Sequence, residues 1–220
     1  MPELGVEYLQ PSEYCPDYIR LEKEISKNVP EMDFVMYERG SYVKTLSDTK
    51  VLAKIINPYF NRTFRTFTSH AQTPADKESP YPAVTKSGKI IYIYAPIFKA
   101  YFEHGYFVYK KIVENCIDTI LREKFVITNA PSSEVSLTKQ GDRIVAHIVN
   151  FQPQRRGRGT EYIEEGYPLR ELELKVRAET RPRRVYLAPK KKYWSSRLIK
   201  KYTSCVVPEA LTHQMVVYEF

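Results

Sequence analysis

The sequence predicts an α+β or α/β chain in two parts: mixed helices and strands over residues 1–126, then an antiparallel β-sandwich over 127–220. Three observations predict it. A single strong helix-period stripe lies before residue 126, the hydrophobic period switches to two after it, and most of the excess basic charge falls in the second part. A length of 220 residues fits one large domain or two small ones, and either can bury a working core unaided. Hydrophobic residues at 43% and charged residues at 27% describe an ordinary globular chain, too apolar to be disordered.

In the first part, a charged segment over Leu21–Asn28 is stopped by Pro30. Phe34–Tyr37 and Ser41–Leu46 flank Glu38-Arg39-Gly40, as a hairpin or as two strands with a tight corner. Val51–Ile56 is a short apolar run ended by Asn57-Pro58. Thr66–Pro82, with Pro74, Pro80 and Pro82, reads as a surface loop. Ala83–Thr85 and Lys89–Tyr94 flank the turn Lys86-Ser87-Gly88, and the second is apolar on both faces, as for a strand sandwiched between layers. Tyr106–Lys124 is the clearest element. Val108, Tyr109, Ile112, Val113, Cys116, Ile117, Ile120 and Leu121 repeat at three- and four-residue spacing, with Lys110, Lys111, Glu114, Asp118, Arg122 and Glu123 opposite. Cys116 belongs to that stripe and reads as packing.

In the second part, Glu134–Lys139, Arg143–Asn150 and Pro168–Thr180 alternate polar and apolar residues, and Gln140-Gly141-Asp142 joins the first two as a hairpin. Leu172, Leu174, Val176 and Ala178 share one face of the third. Shorter strands fit at Arg184–Ala188, Thr203–Val207 and Gln214–Glu219, which together indicate a sandwich.

Residues 1–126 hold 17 Lys+Arg against 16 Asp+Glu, whereas residues 127–220 hold 17 against 10. The excess gathers in Arg155-Arg156-Gly157-Arg158, Arg181-Pro182-Arg183-Arg184, Lys190–Lys192 and Lys200-Lys201. Such clusters can bind phosphate backbones. No nucleic-acid motif accompanies them, so they are expected to be solvated loops between strands, and nucleic acid is not expected as a partner. Cys15, Cys116 and Cys205 lie far apart without pattern, which favours a reducing compartment. The N-terminal residues carry neither a basic patch nor an apolar run, and no apolar stretch approaches ~18 residues, so neither signal peptide nor membrane span is expected. The expected location is cytoplasmic.

No catalytic constellation stands out. The sequence has no GxSxG elbow, no Gly-rich phosphate loop, no HExxH and no paired-cysteine metal site, and its four histidines, His70, His104, His147 and His213, are scattered. No catalytic residue, metal ligand or cofactor is therefore assigned. Alternation places His147 with Val145 and Val149, on the face expected to be the sandwich interior; a buried, structural histidine bonded to a backbone carbonyl or to Asn150 is expected there, and His213 is read the same way. His70 opens the long loop, where functional residues concentrate. Tyr59, Tyr101 and Tyr106, in aromatic-rich stretches, suit either sugar stacking or an interface.

Several segments together resemble one group of bacterial glycoside hydrolases: Asn57-Pro58-Tyr59-Phe60, Ser69-His70, Gly88–Ile93 and Pro96–Tyr101, in that order. These are large proteins with an α-L-fucosidase- or β-galactosidase-like barrel followed by a β-galactosidase trimerisation-type domain. Ala130-Pro131-Ser132, the strand Arg143–Asn150 (close to R-x-V-x-H-L-x-N) and His213–Val217 resemble the β-sandwich that ends such chains. The resemblance covers most of residues 5–220 and touches no catalytic motif. It implies a truncated flavodoxin-like, amidotransferase-like α/β domain over 1–126 and a C-terminal sandwich over 127–220, without the (β/α)8 barrel that carries the acid and the nucleophile. It further implies a non-catalytic assembly region, from a split or truncated gene or a longer enzyme, whose partners are a second copy or a separate catalytic barrel chain. The other readings are a standalone carbohydrate-binding module using its tyrosines, a basic nucleic-acid-binding protein, and an enzyme in its own right.

Overall fold

The computed structural model describes residues 2–121, 123–130 and 132–220. Met1, Arg122 and Pro131, on which the sequence reading drew, lie outside the described residues, as do the side chains of Pro2 and Arg156. The chain divides into two compact units, 1–122 and 123–220.

Unit 1 contains β1 (Val6–Pro11), β2 (Asp17–Leu21), β3 (Phe34–Met36), β4 (Ser41–Thr45), β5 (Lys50–Pro58), β6 (Ala75–Ser87) and β7 (Ile90–Ile93), followed by α1 (Ile97–His104) and α2 (Phe107–Ile120). Five strands form a sheet in the order β3-β2-β5-β6-β7, and β1 pairs with β4. Every pairing is antiparallel. This corrects the expectation of a truncated flavodoxin-like layer. Parallel neighbours need a crossover of a dozen or more residues, usually a helix, between them. Here both helices follow the last strand, so none serves as a crossover.

Other expectations shift in detail. Of the two arrangements expected around Glu38-Arg39-Gly40, the structure has the two strands with a corner and not the hairpin: β3 joins β2 and β4 joins β1. Gly40 sits at that corner because a Cβ there would meet the Tyr94 ring at 2.3 Å. The presumed loop 66–82 ends early, since β6 begins at Ala75 and carries Pro80 and Pro82. Its pairing with β5 is broken by repeated register shifts, the irregularities at which a strand tolerates proline. β7 is not sandwiched; it is the sheet edge, with residues exposed to half-buried.

α2 lays Val108, Tyr109, Ile112 and Cys116 into the same core as Ile19, Phe34, Met36, Leu52, Ile55 and Val84. Full burial of an aliphatic side chain such as Ile112 stabilises by roughly 1.5–3 kcal/mol. Asn115, on the same face and buried, donates through Nδ2 to the carbonyls of Ile25 (2.8 Å) and Lys27 (2.9 Å). It thereby ties the 3-10 turn Lys23–Ile25, formed from the charged segment before Pro30, to the helix. Tyr109 Oη donates to the Val35 carbonyl (3.0 Å) and accepts from the Tyr37 N–H (3.1 Å), fixing α2 to the end of β3.

Unit 2 contains β8 (Val126–Thr128), β9 (Ser133–Gln140), β10 (Arg143–Asn150), β11 (Gln154–Gly157), β12 (Thr160–Tyr162), β13 (Leu169–Arg177), β14 (Arg184–Ala188), β15 (Lys192–Tyr193), β16 (Arg197–Ile199), β17 (Tyr202–Ala210) and β18 (His213–Glu219). One sheet has the order β15-β14-β18-β10-β9, the other β16-β17-β13-β8, and β11–β12 is a separate hairpin. Ala146, Ile148, Val185, Val216 and Tyr218 of the first sheet share a core with Leu172, Leu174, Val176, Cys205 and Val207 of the second. The result is an antiparallel sandwich. Gly141, at φ +58°, opens the two-residue turn that pairs Gln140 with Arg143, a backbone conformation costly for other residues.

Asn115→Ala removes the partner of the buried Ile25 carbonyl and of the half-buried Lys27 carbonyl, and a loss of about 1–3 kcal/mol is expected in urea denaturation. The exposed control Lys110→Ala should change stability by less than about 0.5 kcal/mol.

Candidate functional site

Unit 1 buries one carboxylate, and the neighbourhood is built by four short segments. Asp17 opens β2 and is 1% exposed; Tyr94, directly after β7, donates its hydroxyl to Asp17 Oδ1. Asp17 Oδ2 has no hydrogen-bond partner. Burial pushes the Asp17 carboxyl up to about 7, partly offset by the Tyr94 hydrogen bond and by Arg39. Burial and the adjacent Asp17 push the Tyr94 phenol well above its ordinary value. Ser12 holds the Gly40 corner by accepting its N–H at Oγ (3.0 Å) and donating its own N–H to the Gly40 carbonyl (2.9 Å). Beyond the corner, Glu38 binds Lys99 of α1 at 2.6 Å, and His104 packs against the Tyr37 ring at 4.7 Å.

Of the unit 1 residues singled out from sequence, Tyr59 is 60% exposed and Tyr101 42%. His70 is also exposed, held through its carbonyl by Arg62 Nη1 (3.3 Å). Tyr106 is half-buried and packs edge-on against Tyr109 at 5.1 Å. Among the described contacts, none joins Tyr59, His70, Tyr101 and Tyr106 to one another. The loop after β5 is instead tied down by Asn61, which accepts from the Cys15 N–H (3.1 Å) and donates to the Glu13 carbonyl (2.8 Å). Sequence reading passed over α1, whose Phe98 and Phe102 are 75% and 86% exposed, and the Asp17–Tyr94 pair, which lies 77 residues apart in sequence.

In unit 2 the interior placement of the histidines is corrected. His147 does share a face with Val145 and Val149, but the interior face is the other one, carrying Ala146 and Ile148. His147 is half-buried on the outer face and His213 is exposed. Their rings stack at 5.5 Å and 5°, with Nδ1 of His147 3.3 Å from Nε2 of His213, while His147 Nε2 lies 3.3 Å from Thr138 Oγ1. Besides Thr203, the buried polar residue among those described in unit 2 is Asn150, not a histidine. Its Nδ2 donates to the carbonyls of Tyr167 (2.6 Å) and Leu211 (2.8 Å), and its Oδ1 accepts from Gln152 (2.8 Å).

A groove of about 540 Å³ in unit 2 is lined by two acids, Asp142 and Glu179, together with Lys139, Arg143 and Arg177. Both acids are solvent-exposed. A groove of about 350 Å³ in unit 1 holds one acid, Glu78, which is ion-paired to Lys54 at 2.8 Å. A third, of about 600 Å³, lies between Arg181–Val185 and Tyr193–Ser196 and has no carboxylate in its lining. Among the described residues no group of three or more His, Cys, Asp or Glu side chains could hold a metal ion, and no helix is long and apolar enough to cross a membrane. All three cysteines are free; burial pushes the Cys116 thiol up to about 11, in keeping with a packing role.

No protein-family model and no curated protein matches the chain. Solved structures do. α-L-Fucosidase isoenzyme 2 from Paenibacillus thiaminolyticus superposes over 99% of this chain with a TM-score of 0.88 and 29% identity. The match spans only 34% of the fucosidase. A β-galactosidase from Bacillus circulans sp. alkalophilus matches 98% of this chain and 24% of its own, at a TM-score of 0.51 and 10% identity, a likeness of fold alone. The structural neighbours are thus glycoside hydrolases, and the chain corresponds to a minor part of each.

The Asp17 carboxyl carries a pH signature. Its folded value of about 7 lies above the ordinary 3.8, so between those values the folded state holds a proton that the unfolded chain has lost. Stability contributed by this residue is therefore intact below pH 4, falls as pH rises to about 7, and is flat beyond, by up to about 4 kcal/mol. Asp17→Asn should be more stable than the parent at pH 8 by a large part of that amount and indistinguishable at pH 4, as read from urea midpoints at the two pH values.

Proposed function

We propose that this chain is a non-catalytic accessory region of a glycoside hydrolase, serving assembly with a catalytic barrel or with a second copy. The supporting observation is its superposition, over nearly its full length, on one third of an α-L-fucosidase. The acids agree with this reading. Asp17 is buried beneath Tyr94 without access to substrate, and the two acids that share a groove are exposed among three cations. Paired carboxyl groups in a glycosidase flank the scissile bond in distinct environments, one holding a proton. For assembly, unit 1 offers the exposed Phe98 and Phe102, one turn apart on α1, and Phe107 at the start of α2, 57% exposed. The edge strand β7 presents a second contact surface.

A second reading, carbohydrate binding through the surface tyrosines, draws on the exposure of Tyr59 and Tyr101. Those two share no described contact, so they act as separate platforms in that case.

The purified chain should release no chromophore above blank from 4-nitrophenyl α-L-fucoside or β-D-galactoside. Turnover that disappears in Asp142→Asn, Glu179→Gln, Glu103→Gln or Glu161→Gln would overturn the non-catalytic assignment.

A further inference from the structure

We infer that the groove between Arg181–Val185 and Tyr193–Ser196 is a binding site for an acidic saccharide, one bearing sulfate or carboxylate groups. The inference rests on the hydrolase-accessory reading for the sugar and on the groove itself for the charge.

β14 and β15 pair as a hairpin, Tyr186 opposite Tyr193, and the Trp194 N–H donates to the Val185 carbonyl at 2.8 Å. That fold-back lays Tyr193–Ser196 beside Arg181–Arg184. Three arginines therefore line one concavity with a tyrosine, the chain's single tryptophan and two serines. Arg181, Arg183 and Arg184 are exposed, and none has an ion-pair partner among the described residues. Arg177 and Lys201 differ, since both are engaged by Glu123. Clustering like charges around a cavity without a carboxylate is unfavourable in the free protein, and a bound anion relieves it.

The chemistry narrows the ligand. A guanidinium presents a planar fork that matches carboxylate or sulfate oxygens two at a time. Tyr193, 63% exposed, offers an aromatic surface with a polar tip, and the serine hydroxyls suit the hydroxyls of a sugar. A volume of about 600 Å³ lies within the range of small-ligand sites. Single-stranded nucleic acid would instead require a basic track several nucleotides long with successive stacking rings. Here three arginines line a single groove.

Trp194 is the only tryptophan, so its emission reports this site alone. The intact protein is titrated with sucrose octasulfate and trigalacturonate, with sucrose, inorganic sulfate and a short oligothymidylate as comparisons. At least one acidic saccharide should change the emission saturably, at a concentration at least about tenfold below any effect of sucrose or sulfate. Arg183→Ala and Arg184→Ala should each weaken that binding about tenfold, the size expected for losing a charge-assisted hydrogen bond. Circular dichroism of the variants should match the parent. Silence towards both acidic saccharides, equal response to sucrose or to free sulfate, preference for oligothymidylate, or binding unchanged in folded variants would each overturn the assignment. Such a failure leaves the accessory reading standing, because that reading is decided by turnover and by association with a hydrolase, which are measured separately.

Discussion

Both helices of unit 1 come after its seventh strand, and that order constrains everything the unit can build. Without a helix between strands no parallel crossover forms, so the chain returns on itself through turns and corners and every pair is antiparallel. α2 is then free to cover one sheet face from outside the strand sequence. It is held by the apolar stripe, by Asn115 on the carbonyls of the 3-10 turn, and by Tyr109 on the end of β3. The close packing at Gly40 places Tyr94 over Asp17 and shuts a carboxylate away from water. The buried acid is thus a consequence of how the sheets meet, and it costs stability at neutral pH.

Periodicity reveals what lies on one face of an element, not which face is inside. α2 was legible because its polar and apolar faces differ sharply. β13 was legible for the same reason, with Leu172, Leu174 and Val176 inward and charges outward. β10 was not, because Ile144, Ala146 and Ile148 alternate with Val145, His147 and Val149, and both sets are apolar enough to be buried. Alternation alone therefore does not say on which side of the sheet His147 lies. β6 escaped notice because its prolines normally exclude a strand, and only the bulged pairing with β5 accommodates them. α1 escaped because Phe98 and Phe102 face solvent and blur the stripe that would mark it.

Of the candidate site, the charge was visible in sequence and the concavity was not. The run Arg181–Arg184 stands out as basic, but the nine residues that separate it from Trp194 are closed only by the β14–β15 hairpin. Unpaired guanidinium groups around an aromatic lining are what distinguishes this cluster from Lys201 or Arg177, whose charges are absorbed by Glu123. The flavodoxin-like expectation failed differently. It came from resemblance to a hydrolase family, and the structural neighbours keep the hydrolase connection while the strand pairing replaces that part of the fold.

The proposal is that this chain contributes surfaces to a sugar-cleaving assembly. The most direct measurement is native size-exclusion chromatography of the source cell extract, with an antibody to this chain and assays for α-L-fucosidase and β-galactosidase across the fractions. The account predicts that the antigen elutes well above 25.8 kDa and in register with one of the two activities. Antigen eluting alone, in fractions free of both activities, would contradict it.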